Sequence, residues 1–151
     1  MSARTTMHVE VVTAERELYN GEANLVSAPG SEGRLGILPR HAAILALLAP
    51  GELRVELNGE EEPIFVSGGF IEVFENHVTV LADTAEHAEE IDQARAEAAR
   101  RRAQERLADA QTNQERAELQ SALERAISRL HIAELATRRG RRRINMPSRE
   151  Q

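Results

Sequence analysis

Four arginines in the C-terminal half of the sequence have a spacing that suits the binding of a polyphosphate. Arg125 and Arg129 stand four residues apart, on one face of any helix, and neither has an acidic residue three or four positions away. Arg95 and Arg102 share a helix face as well, with Asp92 three residues before Arg95. Because guanidinium groups donate paired hydrogen bonds to phosphate oxygens, this set is a candidate nucleotide site.

These arginines meet only if the chain turns back on itself between them. With a turn near residues 111–113, antiparallel helices would put Arg95 level with Arg129, and Arg102 level with residues 122–125. A nucleotide bound there would hold the hairpin closed.

A purely structural interpretation competes with the nucleotide site. Asp92, Glu86 and salt would neutralise the arginines, or the arginines would face solvent or another protein. Spacing alone favours this second interpretation.

The sequence shows no other constellation with a recognisable chemistry. The absence of cysteine excludes disulfides, thiol nucleophiles and thiolate metal sites. The histidines stand singly, without HxH or HExxH spacing, and no Ser, His and Asp set has a motif context. They are His8, His41, His77, His87 and His131. Ser67-Gly68-Gly69 lacks the pattern of a phosphate-binding loop and is explained as a turn. We therefore predict no catalytic site and no metal site.

Composition indicates a chain of two parts. The 151 residues are 41% hydrophobic, 29% charged and only 3% aromatic. Residues 1–85 carry 5 Arg against 13 acidic residues, and residues 86–151 carry 14 Arg against 12. Residues 125–151 alone hold eight Arg against two Glu, a charge pattern that favours acidic partners unless it is simply a solvated surface. Without a signal segment or a bilayer-spanning apolar run, we expect a soluble protein that stays where it is made.

Short strands are predicted from Met7 to Ala82, because apolar residues recur there with period two or in short runs. Asn58-Gly59 and Glu75-Asn76 punctuate these runs, the first with the composition of a tight hairpin turn. Residues 35–48 form a longer aliphatic segment that we expect to cross between sheets. The sequence thus predicts an antiparallel β-sandwich or barrel over residues 1–85.

Two helices are predicted after Asp83, where alanine, glutamate and arginine dominate. Thr112 and Glu115 form a capping box, which places the helices at about residues 90–110 and 114–139, with Gly140 as the stop. The predicted facing stripes are Ile91, Ala94, Ala98, Ala99, Ala103 and Leu107 against Leu119, Leu123, Ala126, Ile127 and Leu130. Such a thin interface suits a hairpin that opens as well as one that stays closed. The fold class is therefore α+β, with domains at residues 1–85 and 86–140 and a basic tail at 141–151.

Several strings of the sequence resemble one family, the ε subunits of the F-type ATP synthases. The resemblance covers about residues 7–135. It rests on Gly36-Ile37-Leu38-Pro39-Arg40-His41-Ala42 with the later Pro50-Gly51, on Val66-Ser67-Gly68-Gly69-Phe70-Ile71-Glu72-Val73, and on Val78-Thr79-Val80-Leu81-Ala82-Asp83-Thr84-Ala85-Glu86. Ile91-Asp92-Gln93-Ala94-Arg95-Ala96 is similar to the I/L-D-x-x-R-A motif with which members of this family bind ATP.

The resemblance implies a non-catalytic rotor subunit of the central stalk, with ATP as a regulatory ligand and no catalytic cofactor. Its partners would be the γ subunit, the c-ring and, when the helical arm extends and inhibits ATP hydrolysis, the α and β subunits. It would lie peripherally at the cytoplasmic face of the bacterial plasma membrane.

The resemblance also implies three sets of site residues. The ATP set is Glu86, Ile91, Asp92, Arg95, Ala96, Arg102, Arg125 and Arg129. The loop that faces the c-ring contains Glu32, Arg34 and His41, although members commonly have an acidic residue where Arg34 stands. The β-subunit contact is Arg125, Arg129, Arg138 and Arg139, with a flexible basic tail that adds attraction to acidic β loops.

Two other classes of protein compete with this assignment. The Arg-rich end would suit nucleic acid, but the chain has one Tyr, no Trp and three Phe, all three in predicted strands, which leaves no base-stacking platform. We therefore predict no nucleic-acid partner. An adapter outside any ATPase is the other alternative, and co-purification with a γ subunit distinguishes it.

Overall fold

The computed structural model describes residues 5–139, and the side chains of residues 5–137. In these residues ten strands precede two helices. The strands are β1 Met7–Val12, β2 Glu17–Ala23, β3 Leu25–Gly30, β4 Gly33–Ile37, β5 Ile44–Leu48, β6 Gly51–Leu57, β7 Glu60–Val66, β8 Gly69–Phe74, β9 His77–Ala82 and β10 Ala85–His87. A 3-10 turn covers Ala88–Glu90, and the helices are α1 Gln93–Ala108 and α2 Asn113–Arg139.

The strands hydrogen-bond in the order β10-β7-β6-β3-β5-β8-β9-β1-β2, with β4 paired to the other edge of β3. Among the described strands, the pair of β1 and β9 is parallel and the others are antiparallel. Near the far end of this order, β2 contacts β6 and β10, so the sheet folds back over one core. The predicted sandwich followed by a helical hairpin is confirmed.

The core lies where the period-two pattern predicts it. Val9 and Val11 of β1 are fully buried, as are Val78 and Val80 of the neighbouring β9. The residues between them on each strand point to the outer face of the sheet.

Two tight turns confirm the predicted punctuation of the strands. Asn58 and Gly59 join β6 to β7 with φ of 52° and 84°, and Glu75 and Asn76 join β8 to β9 with φ of 46° and 63°. Positive φ at both central residues is what a type I′ hairpin requires.

The segment 35–48 was expected to cross between sheets, but the described strands form one continuous sheet, and this segment links its two halves. Its first part belongs to β4, which pairs with β3, and its second part is β5, which pairs with β8. The chain thereby passes from one half of the sandwich to the other.

The helices are close to the predicted bounds. α1 is shorter than expected because residues 88–90 form a 3-10 turn and Asp92 caps the helix. Thr112 Oγ1 accepts a hydrogen bond from the Glu115 N–H at 3.1 Å, but the Glu115 carboxylate accepts from Gln111 N–H rather than completing the predicted capping box. The predicted stop at Gly140 and the tail 141–151 lie outside the described residues.

The predicted facing stripes of the hairpin are wrong at three positions. Ala94, Ala98 and Ile127 are exposed. The buried residues of α1 are Ala103, which was predicted, and Ala96, which was not. In a helix this rich in alanine several apolar stripes are equally plausible, and packing against the sandwich selects one of them.

Candidate functional site: the hairpin and its contact with the sandwich

A small apolar group holds the hairpin on the sandwich, and we call it the docking cluster. It consists of Phe65, Ala88, Ile91, Ala96, Ile132 and Ala133, drawn from β7, the segment after β10, α1 and α2. All six are at most 7% exposed, but three are alanines. Phe65, Ile91 and Ile132 therefore supply most of the apolar area in this contact.

An ion pair also joins the hairpin to the sandwich. Arg129 on α2 donates from Nε to Glu86 Oε2 at 2.8 Å and from Nη2 to Glu86 Oε1 at 3.0 Å. Glu86 lies on β10, opposite Phe65 of β7 in the sheet register. The pair is bidentate and partly shielded, with the two side chains 26% and 31% exposed. Two of the predicted site residues are thus brought into direct contact, with each other.

The string that resembles the ATP motif forms the start of α1. Asp92 is its N-cap, and Asp92 Oδ1 accepts a hydrogen bond from the Arg95 N–H at 3.2 Å. Ile91 and Ala96 on either side belong to the docking cluster. The apolar members of the string therefore fix where the helix begins, while Asp92 satisfies its first backbone donors.

The remaining arginines of the predicted ATP set are available to a ligand. The side chains of Arg95, Arg102 and Arg125 are exposed, and within residues 5–137 their guanidinium groups make no hydrogen bond or ion pair. Their charge is balanced by solvent in this conformation. They contrast with Arg129, whose guanidinium is already engaged.

One side-chain hydrogen bond shows which ends of the two helices meet. Gln93 Nε2 donates to Thr137 Oγ1 at 3.4 Å, so the start of α1 lies beside the end of α2. Arg95 follows Gln93 by two residues and therefore lies at the same end of the hairpin, while Arg102 lies about two turns farther along α1.

A second ion pair, which was not predicted, fixes the segment that links the sandwich to the helices. Arg16, in the turn after β1, contacts Glu90 through Nη2 at 2.6 Å and Nη1 at 3.2 Å, and donates to the Ala85 carbonyl at 3.2 Å. The hydrogen bond from Arg16 lowers the pKa of the Glu90 carboxyl. This contact ties both ends of the segment 85–90 to the sandwich.

The residues predicted to face the c-ring differ in their surroundings. Glu32 is exposed in the turn between β3 and β4, and His41 is half-buried with Nδ1 2.7 Å from the Ala42 carbonyl. Arg34, in contrast, donates from Nε to Ser27 Oγ and from Nη2 to the Glu52 carbonyl, both at 2.8 Å. Arg34 also lines a surface pocket with residues 128–135 of α2. Its guanidinium is therefore directed along the sheet toward the hairpin side.

Large apolar side chains are exposed on the opposite surface of the sandwich, which we call the outer apolar face. It comprises Leu45 and Leu47 of β5, Phe70 and Phe74 of β8, and Leu81 of β9, each between 49% and 68% exposed. Leu47, Phe70 and Leu81 are consecutive partners across three strands, so they form one continuous row. The alternation of β8 could have revealed this face, because its second set of positions includes two phenylalanines. Apolar patches of this kind mark contact surfaces.

Comparison with known families identifies both parts of this architecture. The model of the ATP synthase delta/epsilon chain β-sandwich domain matches residues 6–88, and that of the delta/epsilon chain long α-helix domain matches residues 89–134. The chain belongs to the ATP synthase delta/epsilon chain family.

Curated ε chains match over nearly their whole length. The ATP synthase epsilon chain of Herpetosiphon aurantiacus is 50% identical over 133 residues, which is 88% of this chain and 98% of that one. The epsilon chain of Alkalilimnicola ehrlichii is 46% identical over 91% of this chain and 99% of that one. The chain is therefore an ε-type member of the family, as its sequence predicts.

Solved structures share the fold. A chain in the cryo-EM structure of the Euglena gracilis mitochondrial ATP synthase, OSCP/F1/c-ring in rotational state 1, matches with a TM-score of 0.75 at 24% identity, over 86% of this chain and 81% of that chain. A chain from the central stalk/c-ring structure of the Tetrahymena thermophila mitochondrial ATP synthase matches with a TM-score of 0.58 at 16% identity, over 87% and 99%.

The remaining predicted features of this ε chain stay predictions. The structure does not describe the side chains of Arg138 and Arg139, so their predicted contact with the β subunit stays a prediction. Neither described helix combines the length and apolar character needed to cross a bilayer.

Proposed function

We propose that this chain is a rotor subunit whose sandwich binds the γ subunit and the c-ring, and whose helices inhibit ATP hydrolysis when they leave the sandwich. The observation that carries the proposal is the small size of the docking contact. Three large buried apolar side chains, with the partly buried Leu130 packed against them, and the Glu86–Arg129 pair join the hairpin to the sandwich. A contact this limited suits an arm that exchanges between docked and extended positions.

The outer apolar face is the surface we assign to the γ subunit. Its row of Leu47, Phe70 and Leu81 is apolar and exposed, so burial of these side chains against a partner would be favourable. The centres of stable interfaces have this apolar character. It lies away from the docking cluster, so γ contact and hairpin movement are compatible.

A charge placed in this row tests the γ assignment. Phe70→Glu should abolish co-purification with the γ subunit, because a buried unpaired carboxylate is costly. Leu38→Glu is the control, since Leu38 is 60% exposed outside the row. Equal γ binding by the two variants would refute the assignment.

We assign the c-ring contact to the turn that carries Glu32, with Arg34 and His41 nearby in sequence. Exposed Glu32 supplies the acidic character that the resemblance implies for this loop. The Arg34 guanidinium donates to Ser27 Oγ and the Glu52 carbonyl and is thereby directed away from the turn, which leaves Glu32 as the charged side chain of the turn itself.

Inhibition follows from what extension would expose. Undocking releases Arg129 from Glu86, so that Arg125 and Arg129, one turn apart, both present a free positive charge to acidic loops of the β subunits. The lost ion pair costs about 1 kcal/mol or less, as is usual for partly exposed pairs. An acidic partner therefore has little to overcome at this position. Arg138 and Arg139 would extend the same positive surface.

Extension as proposed separates α2 from α1 as well as from the sandwich, so a cross-link between the two helices tests the inhibition. Gln93→Cys with Thr137→Cys places two thiols at the observed contact between the helices, in a chain with no other cysteine. A short bis-maleimide should join them. In the reconstituted enzyme the cross-linked chain should leave ATP hydrolysis uninhibited, while the unlinked double variant inhibits it.

The control applies the same reagent without restricting the hairpin. Gln120→Cys with Glu124→Cys joins two positions on α2 alone, both exposed. If the chain cross-linked at Gln93 and Thr137 inhibits ATP hydrolysis as strongly as this control does, the extended-arm proposal is wrong.

We propose ATP as the ligand that favours the docked state. Arg95, Arg102 and Arg125 are exposed along the hairpin, and Arg125 lies one helical turn from the engaged Arg129. A triphosphate is extended and carries several charges, so it suits arginines spread along the groove between the helices. Its binding to the closed arrangement alone would shift the arm toward docking.

Calorimetric titration of the isolated full chain with ATP tests this ligand separately. Arg95→Ala and Arg125→Ala should each weaken binding at least tenfold, as loss of a charge-assisted contact does. Arg116→Ala is the matched control, because Arg116 is an exposed arginine of α2 outside the predicted set. No saturation at millimolar ATP, or equal loss in the control, would remove ATP and leave the rotor assignment in place.

We propose no catalytic step for this chain, because its candidate residues suit binding and its arginines cannot act as acids or bases near neutral pH. Its place would be peripheral, at the cytoplasmic face of the bacterial plasma membrane, held there by the c-ring and γ. Release from washed membranes together with the catalytic head would support this location, and a chain found only in the soluble fraction of intact cells would contradict it.

A further inference from the structure

Two strands that are distant in the sequence place two imidazoles and a carboxylate side by side on the outer surface of the sandwich. β1 and β9 run parallel, and His8 is the register partner of His77. Glu10 follows His8 by two residues on β1 and therefore points to the same face. The three side chains are 36%, 45% and 36% exposed for His8, His77 and Glu10, so they are neither buried nor fully free.

The distances between their polar atoms are close to those of a metal site. His8 Nε2 lies 3.7 Å from Glu10 Oε1, and His77 Nε2 lies 3.7 Å from Glu10 Oε2. One candidate ligand atom from each residue lies within 4.8 Å of the other two. In a tetrahedral zinc site, bonds of about 2.0–2.1 Å put ligand atoms roughly 3.4 Å apart. Small rotations of these three half-exposed side chains would bring the observed 3.7 Å separations to the separation of a zinc site.

A carboxylate outside this group of three, that of Glu22, already orients the His8 imidazole. His8 Nδ1 lies 3.4 Å from Glu22 Oε1, across the β1–β2 pair in which His8 and Glu22 are register partners. Thr6 Oγ1 donates to Glu22 Oε2 at 2.6 Å and holds that carboxylate in place. Such a carboxylate leaves the Nε2 lone pair of His8 facing Glu10, as metal binding requires.

The charge around the group is negative. Glu72 of β8 pairs with Thr79 of β9, which pairs in turn with Glu10 of β1, so Glu72 is on the same outer face two strands away. With Glu10 and Glu22, it gives the two imidazoles acidic surroundings that favour a cation.

We propose that His8, Glu10 and His77 form a Zn²⁺ site, with solvent as the fourth ligand. Two imidazoles and one carboxylate are the donor set of open zinc sites, whereas Mg²⁺ and Ca²⁺ require more oxygen ligands than this group offers. The site is separate from the hairpin and from the ATP set. The spacing of histidines along the chain could not reveal it, because the parallel pairing of β1 with β9 creates it.

The first experiment measures metal binding by the full chain without an affinity tag. After treatment with a chelator, calorimetric titration should show one equivalent of Zn²⁺ bound, and Co²⁺ should give the visible absorption of a tetrahedral site. His8→Asn and His77→Asn should each abolish both signals. His131→Asn is the matched control, because His131 is an exposed histidine on α2. Mg²⁺ should not compete.

The second experiment separates positioning from ligation. Glu22→Gln should weaken Zn²⁺ binding 10–100-fold while preserving the Co²⁺ spectrum, since Glu22 acts through His8. Glu10→Gln should change the spectrum, since Glu10 is a ligand. Each variant is checked for an unchanged unfolding transition.

Three results would overturn the site. They are no Zn²⁺ binding by the unaltered chain, equal binding by His8→Asn or His77→Asn, and equal loss in the His131 control. The first would reduce the group to a surface cluster of imidazoles and carboxylates.

Discussion

Two isoleucines on α2 provide a matched test of the docking cluster. Ile132 is 1% exposed and packs against Phe65 of β7 and the start of α1, whereas Ile127 is 47% exposed on the same helix. Substitution of each by alanine removes the same three carbon atoms. The gain in helix propensity is also the same, so it cancels in the comparison.

The expected costs differ because the burial differs. Removing three buried carbons from Ile132 forfeits about 2.4 kcal/mol, and the residual cavity brings the loss to about 2.5–4 kcal/mol. For Ile127 the loss is about 1 kcal/mol or less, because much of its surface stays in water in both states. If the cluster holds the hairpin on the sandwich, Ile132→Ala should shift docking by roughly 70-fold or more.

Hydrogen exchange measured by mass spectrometry gives this shift for α2 and for the sandwich separately. Amides of α2 should exchange faster by that factor in Ile132→Ala and change little in Ile127→Ala, while β1 and β9 remain protected. In the reconstituted enzyme, Ile132→Ala should also inhibit ATP hydrolysis more strongly. Equal exchange in the two variants would refute the claim that this cluster holds the hairpin, and so would equal loss of protection in the sandwich strands.

Two further predictions concern the sandwich. Gly69→Ala should destabilise the sandwich by about 3 kcal/mol or more, because a Cβ at φ +124° would lie 2.0 Å from the Leu81 carbonyl oxygen. Gly36→Ala is the control, because Gly36 has open space around it, and this variant should change the denaturant midpoint little. Burial raises the pKa of Tyr19 from 10.0 to about 12, so the stability from its neutral phenol is fully present below pH 10 and about 2 kcal/mol of it is lost by pH 12. Since Tyr19 is the single tyrosine and there is no tryptophan, ultraviolet titration reports it directly, and a midpoint near 10 in the folded chain would contradict its burial.

The strands and turns could be predicted because local sequence determines them. Asn58-Gly59 supplies the two positive φ values that a tight hairpin requires, and the alternation of Val9 and Val11 with polar residues fixes which face of β1 is buried. These features depend on steric limits and on a strict period of two. Few alternatives satisfy both.

The packing of the helices was less predictable for a physical reason. Alanine is a strong helix former but a weak marker of a buried face, so Ala94 and Ala98 are as plausible in an interface as Ala96 and Ala103. Packing against the sandwich decides among them.

Contacts between distant parts of the chain left no pattern in the sequence. Arg16 meets Glu90 only because β2 and β10 come together, and His8 meets His77 only because β1 pairs with β9 in parallel. Such pairs depend on the order of strands in the sheet. A sequence read along one element at a time does not contain that order.

The energy of the docked hairpin limits how strongly any ligand or partner must act on it. Phe65, Ile91 and Ile132 each contribute about 2 kcal/mol from burial, and the ordering of side chains and of the link offsets part of that gain. Reversing a two-state population from about 1:99 to 99:1 requires about 5.5 kcal/mol of differential binding. A contact of a few kcal/mol is therefore strong enough to dock the arm in the isolated chain, and a partner with several charged contacts to Arg125 and Arg129 can still reverse it. Because Arg129 pairs with Glu86 in the docked state and would face a β subunit in the extended state, the two states compete for that guanidinium, although the pair itself contributes only about 1 kcal/mol or less.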